Sequence, residues 1–129
     1  MILRFFLATA LGAGIGYQRE RAGKTAGLRT HILVSSGAAL FTLASIYGFS
    51  DATVDISRVA AAVVVGVGFI GGGVILRGAH GDEVAGLTTA ATIWVTAAIG
   101  LAAGAGMYLI SVLATAVIVG VLLLPKVRG

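Results

Sequence analysis

Along the chain, long apolar stretches alternate with short polar segments. The apolar stretches cover residues 1–17, 31–49, 58–76, 87–105 and 107–124, and Pro125 stops the last. A membrane helix needs about 20 mostly apolar residues, each adding about 1.5 Å toward a hydrocarbon core of about 30 Å. The pattern predicts an all-α integral membrane protein: a bundle of about five transmembrane helices in a single domain over residues 1–129. Little chain remains for a soluble catalytic or nucleotide-binding domain. The first stretch is the shortest fit, roughly 24 Å from Ile2 to Tyr17, and it contains Arg4. Arg4 is expected to snorkel to the outer interface. A signal peptide would place its basic residues before the apolar run. Here they follow it, so the segment reads as a span.

Composition sharpens this picture. Residues of the AVILMFWYC set make up 58% and charged residues 11%, with a mean hydropathy of +1.05. A soluble domain carries about a quarter charged residues, so a soluble monomer is excluded. With no Cys, a disulfide framework and a cysteine-type zinc site are excluded too. Twenty Gly against one Pro suit closely packed membrane helices.

The charges sort by segment. Arg19, Glu20, Arg21, Lys24 and Arg29 lie between the first two spans, and Lys126 and Arg128 lie in the tail. Asp51, Asp55 and Arg58 follow the second span; Arg77, His80, Asp82 and Glu83 follow the third; the segment around Gly106 has none. The positive-inside rule puts the first basic segment and the tail in the cytoplasm. The N-terminus is then outside and the C-terminus cytoplasmic, which an odd number of spans satisfies. The pI near 10.1 therefore reads as topology, and no nucleic-acid partner is expected.

Small and polar residues recur at helical spacing. Gly12 and Gly16, Gly68 and Gly72, and Gly100 and Gly104 are pairs four apart, the spacing that lets membrane helices approach closely. The run Gly66-Val67-Gly68-Phe69-Ile70-Gly71-Gly72-Gly73 is dense enough to break or bend the third span, since each Gly costs about 1 kcal/mol against Ala in a helix. A broken span exposes backbone groups that bind ions in transporters. Gly66, Gly68 and Gly71 also match G-x-G-x-x-G, but no strand precedes them, so the dinucleotide reading is rejected. His31, Ser35, Ala38, Thr42 and Ser45 form one stripe, and Thr88, Thr92 and Thr96 with Thr89 form another. Both should face the bundle interior, as hydrogen-bonded packing or as the lining of a polar path. Trp94 is expected to pack rather than anchor at an interface.

No carboxylate lies in the middle of a span, where ionisable residues mark ion pathways. Asp51 and Asp55 would hold a divalent cation weakly at best, and His31 and His80 lack metal spacing. No metal and no cofactor is expected. With no Ser/His/Asp constellation, cysteine nucleophile or Walker-type loop, the chain is not expected to be an enzyme. Thr30 and Thr88 are placed to cap the second and fourth spans.

Four longer segments remain: the G-x-x-R-E-R corner at Gly16 to Arg21, the G-L-R-T-H entry at Gly27 to His31, the glycine run leading to Arg77, and Gly86-Leu87-Thr88-Thr89-Ala90-Ala91-Thr92-Ile93-Trp94-Val95 with its continuation to Gly104. In this order they resemble the membrane domain of the MgtC/SapB family, over nearly the whole chain. The resemblance implies a multi-pass protein of the bacterial inner membrane that acts in magnesium homeostasis and adaptation to low magnesium. In pathogens it is linked to survival inside macrophages. It also implies a regulatory role on another membrane complex, the ATP synthase or a transport system. Some members carry a further soluble domain, and this chain is expected to be a membrane-domain version. The alternative is a small oligomeric ion channel or transporter. The small-residue faces suggest a homo-oligomer. The candidate functional residues are Arg19, Glu20, Arg29, His31, Arg77, Thr88 and Thr89, with the corner from Arg19 to Arg29 as a contact surface.

Overall fold

A computed structural model describes residues 1–49, 55–78 and 86–125. Each apolar run forms a helix: α1 (Ile2–Arg21), α2 (Leu28–Tyr47), α3 (Ser57–Gly78), α4 (Leu87–Gly104) and α5 (Tyr108–Leu122). Leu28–Tyr47, Ser57–Leu76 and Leu87–Gly104 are long and apolar enough to cross a membrane. The protein is an all-helical membrane bundle, with no strand among the described residues.

The helix ends follow backbone chemistry more than hydropathy. α1 runs past its apolar stretch because Gln18, Arg19, Glu20 and Arg21 are good helix formers. Arg19 and Arg21 also lie in the last turn, where the helix dipole favours cations. It ends in a Schellman motif: Gly23 takes φ +71°, its N–H bonds Glu20 O at 3.1 Å, and Lys24 N–H bonds Arg19 O at 3.1 Å. α4 ends the same way, with Gly106 at φ +87° and N–H bonds from Gly106 to Ala103 O and from Met107 to Ala102 O, both 3.0 Å. At the start of α3, the Asp55 carboxylate accepts from the Ser57 hydroxyl at 2.6 Å and N–H at 3.0 Å. These bonds hold the Asp55 carboxyl below its ordinary range.

Three expectations change here. α2 starts at Leu28 after Gly27, so Thr30 lies inside the helix and does not cap it. α4 starts after Gly86 with no side-chain cap, and Thr88 is exposed in its first turn. α3 is also continuous through residues 66–73, so the glycine run does not break the span. The glycine penalty is about 1 kcal/mol per residue. A break in apolar surroundings leaves N–H and C=O groups unpaired at several kcal/mol each. The second cost is larger, and the helix persists.

α2 packs between α1 and α4, and α4 touches all four other helices. A Cβ on Gly12 would lie 2.7 Å from Ser35 Cβ, and one on Gly16 would lie 2.8 Å from Leu28 Cα. Across the other face, a Cβ on Gly100 would strike the Ser35 carbonyl oxygen, and one on Gly104 would lie 2.9 Å from Ala39 O. Ser35 is thus enclosed by Gly12 and Gly100, and its hydroxyl donates to Ala8 O of α1 at 2.7 Å. Ala8, Ala39 and Ala103 form the buried core beside it. α3 rests on α4, with Gly71 against Ala90. α5 packs on α1 and α4. Gly66, Gly68, Gly72 and Gly73 have open space where a Cβ would be, so the Gly68–Gly72 pair is not used in packing among the described residues. Trp94 is 53% exposed and borders a groove of about 40 Å³ between α3 and α4, rather than filling the core.

Glycine therefore matters at some spacings and not at others. Gly100→Ala should cost about 1–3 kcal/mol through overpacking. Gly68→Ala should be neutral or stabilise by up to about 1 kcal/mol through helix propensity. Reversible unfolding in mixed detergent micelles, followed by circular dichroism, measures both; equal effects would remove the packing argument.

Candidate functional site

The candidate residues gather at one end of the bundle, where α1 finishes and α2 and α4 begin. In α1 the buried positions are Ala8, Gly12, Ile15, Gly16 and Arg19, a single helical face. Arg19 extends this face, so its side chain is directed into the bundle and is only 3% exposed. Its Nη2 donates to Thr89 Oγ1 in the first turn of α4 at 2.6 Å. Its Nε has no partner. Arg19 is therefore an interior strut, and it leaves the expected contact surface at this corner.

Glu20 points the other way. Its Oε1 accepts from Leu28 N–H at 3.0 Å, supplying from α1 the N-cap that Gly27 lacks. Glycine at 27 leaves room for the Glu20 carboxylate, which a Cβ there would push aside. A carboxylate at a helix N-terminus also faces the favourable end of the dipole. His31, one turn into α2, is fully buried. Its Nδ1 lies 2.8 Å from Gly27 O. A carbonyl oxygen only accepts, so Nδ1 carries the proton and a neutral ring keeps its lone pair on Nε2. Nε2 has no partner.

The remaining candidates sit around this group. Thr89 is buried and Thr88 exposed. Arg29 is exposed, as are Arg21 and Lys24. Arg21 lies over the Tyr17 ring, 5.8 Å from its centroid. Arg77 belongs to the last turn of α3, but its side chain falls outside the described residues, as do His80, Asp82, Glu83 and Asp51. Among the described residues, no three potential ligands are grouped to hold a metal ion.

Apart from exposed Thr88 both polar stripes face inward, and apart from Thr89, which meets Arg19, their buried hydroxyls are bonded to backbone. Thr92 donates to Thr88 O at 2.7 Å, Thr96 to Thr92 O at 2.6 Å and Thr42 to Ala38 O at 2.8 Å. Ser45 donates to Ile56 O at 3.0 Å. At the opposite end Arg4 is partly buried. Its Nη1 donates to Gly104 O at 3.3 Å near the C-terminus of α4, and its guanidinium lies 5.5 Å from the Tyr47 ring centroid. A cation suits that helix end. Sequence reasoning also missed Gln18, whose Nε2 reaches Leu122 O of α5 at 3.4 Å. A lone polar residue just past an apolar run carries no signal for such a contact.

The MgtC family model matches residues 5–128. YhiD of Escherichia coli (strain K12) is 52% identical over 113 residues, covering 83% of this chain and 52% of its own length. MgtC of Salmonella typhimurium (strain LT2) is 44% identical over 117 residues, covering 91% and 48%. SrpB of Synechococcus elongatus is 42% identical over 122 residues, covering 87% and 67%. The chain thus spans about half the length of YhiD and MgtC. No solved structure matches it.

The Arg19–Thr89 bond gives a direct test. Thr89→Val removes the acceptor and leaves a buried guanidinium N–H unmet, at a cost of about 1–3 kcal/mol. Thr88→Val, on the exposed side of the same turn, should change stability by less than about 0.5 kcal/mol. Thermal unfolding of both variants in detergent measures the contrast.

Proposed function

The chain belongs to the MgtC family, and we propose that it is a protein of the bacterial inner membrane that serves adaptation to low magnesium by regulating another membrane complex. The basic end would face the cytoplasm under the positive-inside rule, with the N-terminus outside. The reading is non-enzymatic and requires no cofactor. The partner, by family resemblance, is the ATP synthase or a transport system. What the longer relatives do as whole proteins enters here as part of the proposal.

The observation that carries the reading is the outward face of α3. Gly68 and Gly72 lie there with open space around them, beside Val65, Phe69 and Leu76, which are 75%, 85% and 79% exposed. Lipid gives helices no hydrophobic drive to associate, and side-chain-free stripes are where membrane helices approach closely. A second reading, a small oligomeric ion channel or transporter, is favoured by the name of YhiD, which proposes a magnesium transporter. In that case the same stripe would join copies of this chain.

Photo-crosslinking in magnesium-starved cells tests the choice. A photoreactive residue at Phe69 should yield an adduct with a different membrane protein, and one at Val117 on α5 should not. Gly72→Leu should abolish the Phe69 adduct while insertion persists. Adducts only between copies of this chain would favour the oligomeric reading.

A further inference from the structure

The basic end carries an unbalanced charge. Arg19 stays protonated at any physiological pH and is 3% exposed. It lies against the first turn of α4, the end of a helix that repels cations. α2 starts at the same end, but the Glu20 carboxylate already occupies its N-terminus. Among the described residues α4 has no such group: its N-cap is Gly86, with no side-chain cap. A buried charge left unpaired costs several kcal/mol. Among the described residues no carboxylate reaches Arg19, which leaves this end open to an anion.

The unused hydrogen-bonding groups define its chemistry. Arg19 Nε–H has no partner. Thr89 Oγ1 accepts from Arg19 and so keeps its own proton to donate. The backbone N–H groups of Leu87, Thr88 and Thr89 add the anion-binding geometry of a helix N-terminus. Fully buried His31, in the first turn of α2 at the same end, has an unpartnered Nε2 as well. We propose that Arg19, Thr89 and the uncapped first turn of α4 bind a phosphate oxyanion, either free hydrogen phosphate or the headgroup phosphate of an anionic lipid. This site does not depend on the regulatory reading above.

The test uses the full chain in phosphatidylcholine nanodiscs at constant ionic strength. One arm measures binding of radiolabelled orthophosphate by equilibrium dialysis. The other replaces part of the lipid with phosphatidylglycerol and counts lipids retained in native mass spectrometry. Binding in the first arm assigns free phosphate; selective retention in the second assigns the lipid. In either case Arg19→Gln should weaken the interaction at least about tenfold, the effect of losing a charge-assisted hydrogen bond. Lys24→Gln, at the exposed end of the same corner, should leave it unchanged. If Arg19→Gln does not fold, the wild-type binding measurements and Arg19→Lys, which keeps the charge but loses the planar fork, replace it, with an intermediate loss expected. Absence of binding in both arms overturns the site, as does a loss in Lys24→Gln equal to that in the Arg19 variant.

Discussion

The structure depends on how closely α2 approaches α1 and α4. In lipid, helices gain nothing by hiding apolar surface from one another, so association rests on van der Waals contact and on hydrogen bonds across the interface. Gly12 and Gly16 on one side, and Gly100 and Gly104 on the other, bring backbone against backbone along α2. Ser35 lies where the two crossings meet and bonds to α1. The rest follows from this geometry. Because α1 and α4 are both drawn against α2, the end of α1 reaches the start of α4, and Arg19 meets Thr89.

The same approach sets the character of the interior. Between closely packed helices there is little room for water, so polar side chains must find partners in the protein. Thr42, Thr92 and Thr96 return their hydrogen bonds to their own helices, and Ser35 directs its bond to a neighbouring backbone. Groups left unpartnered include Arg19 Nε and His31 Nε2 at the basic end, and Arg4 Nε at the other. Among the described residues the interior is satisfied through its middle and unsatisfied toward its ends. That suits a protein that presents sites at the membrane faces more than one that conducts through its centre.

Much of this was legible in the sequence, for physical reasons that differ by residue. Hydropathy located all five helices because lipid demands long apolar runs. Spacing revealed Gly12, Gly16, Gly100 and Gly104, and the inward stripe from His31 to Ser45, because helical period maps directly onto a face. Spacing could not separate the used pairs from Gly68 and Gly72, since the pattern is identical and only the neighbour differs. The caps were misassigned at Thr30 and Thr88 because local capping rules miss a carboxylate from another helix, as Glu20 shows at Leu28. The burial of Arg19 was readable in principle: it continues the spacing of Ala8, Gly12 and Ile15. Its charge drew the reading toward the surface. Gly23 and Gly106, the left-handed glycines that stop α1 and α4, were not singled out from the sequence.

Conduction is the sharpest alternative to a bundle whose continuous α3 and self-bonded hydroxyls serve packing. Magnesium flux into proteoliposomes, with the purified chain inserted and a magnesium-sensitive dye inside, tests it directly. The account predicts uptake no faster than in protein-free vesicles under an imposed gradient. Uptake that saturates with magnesium concentration and scales with the amount of inserted protein would contradict it.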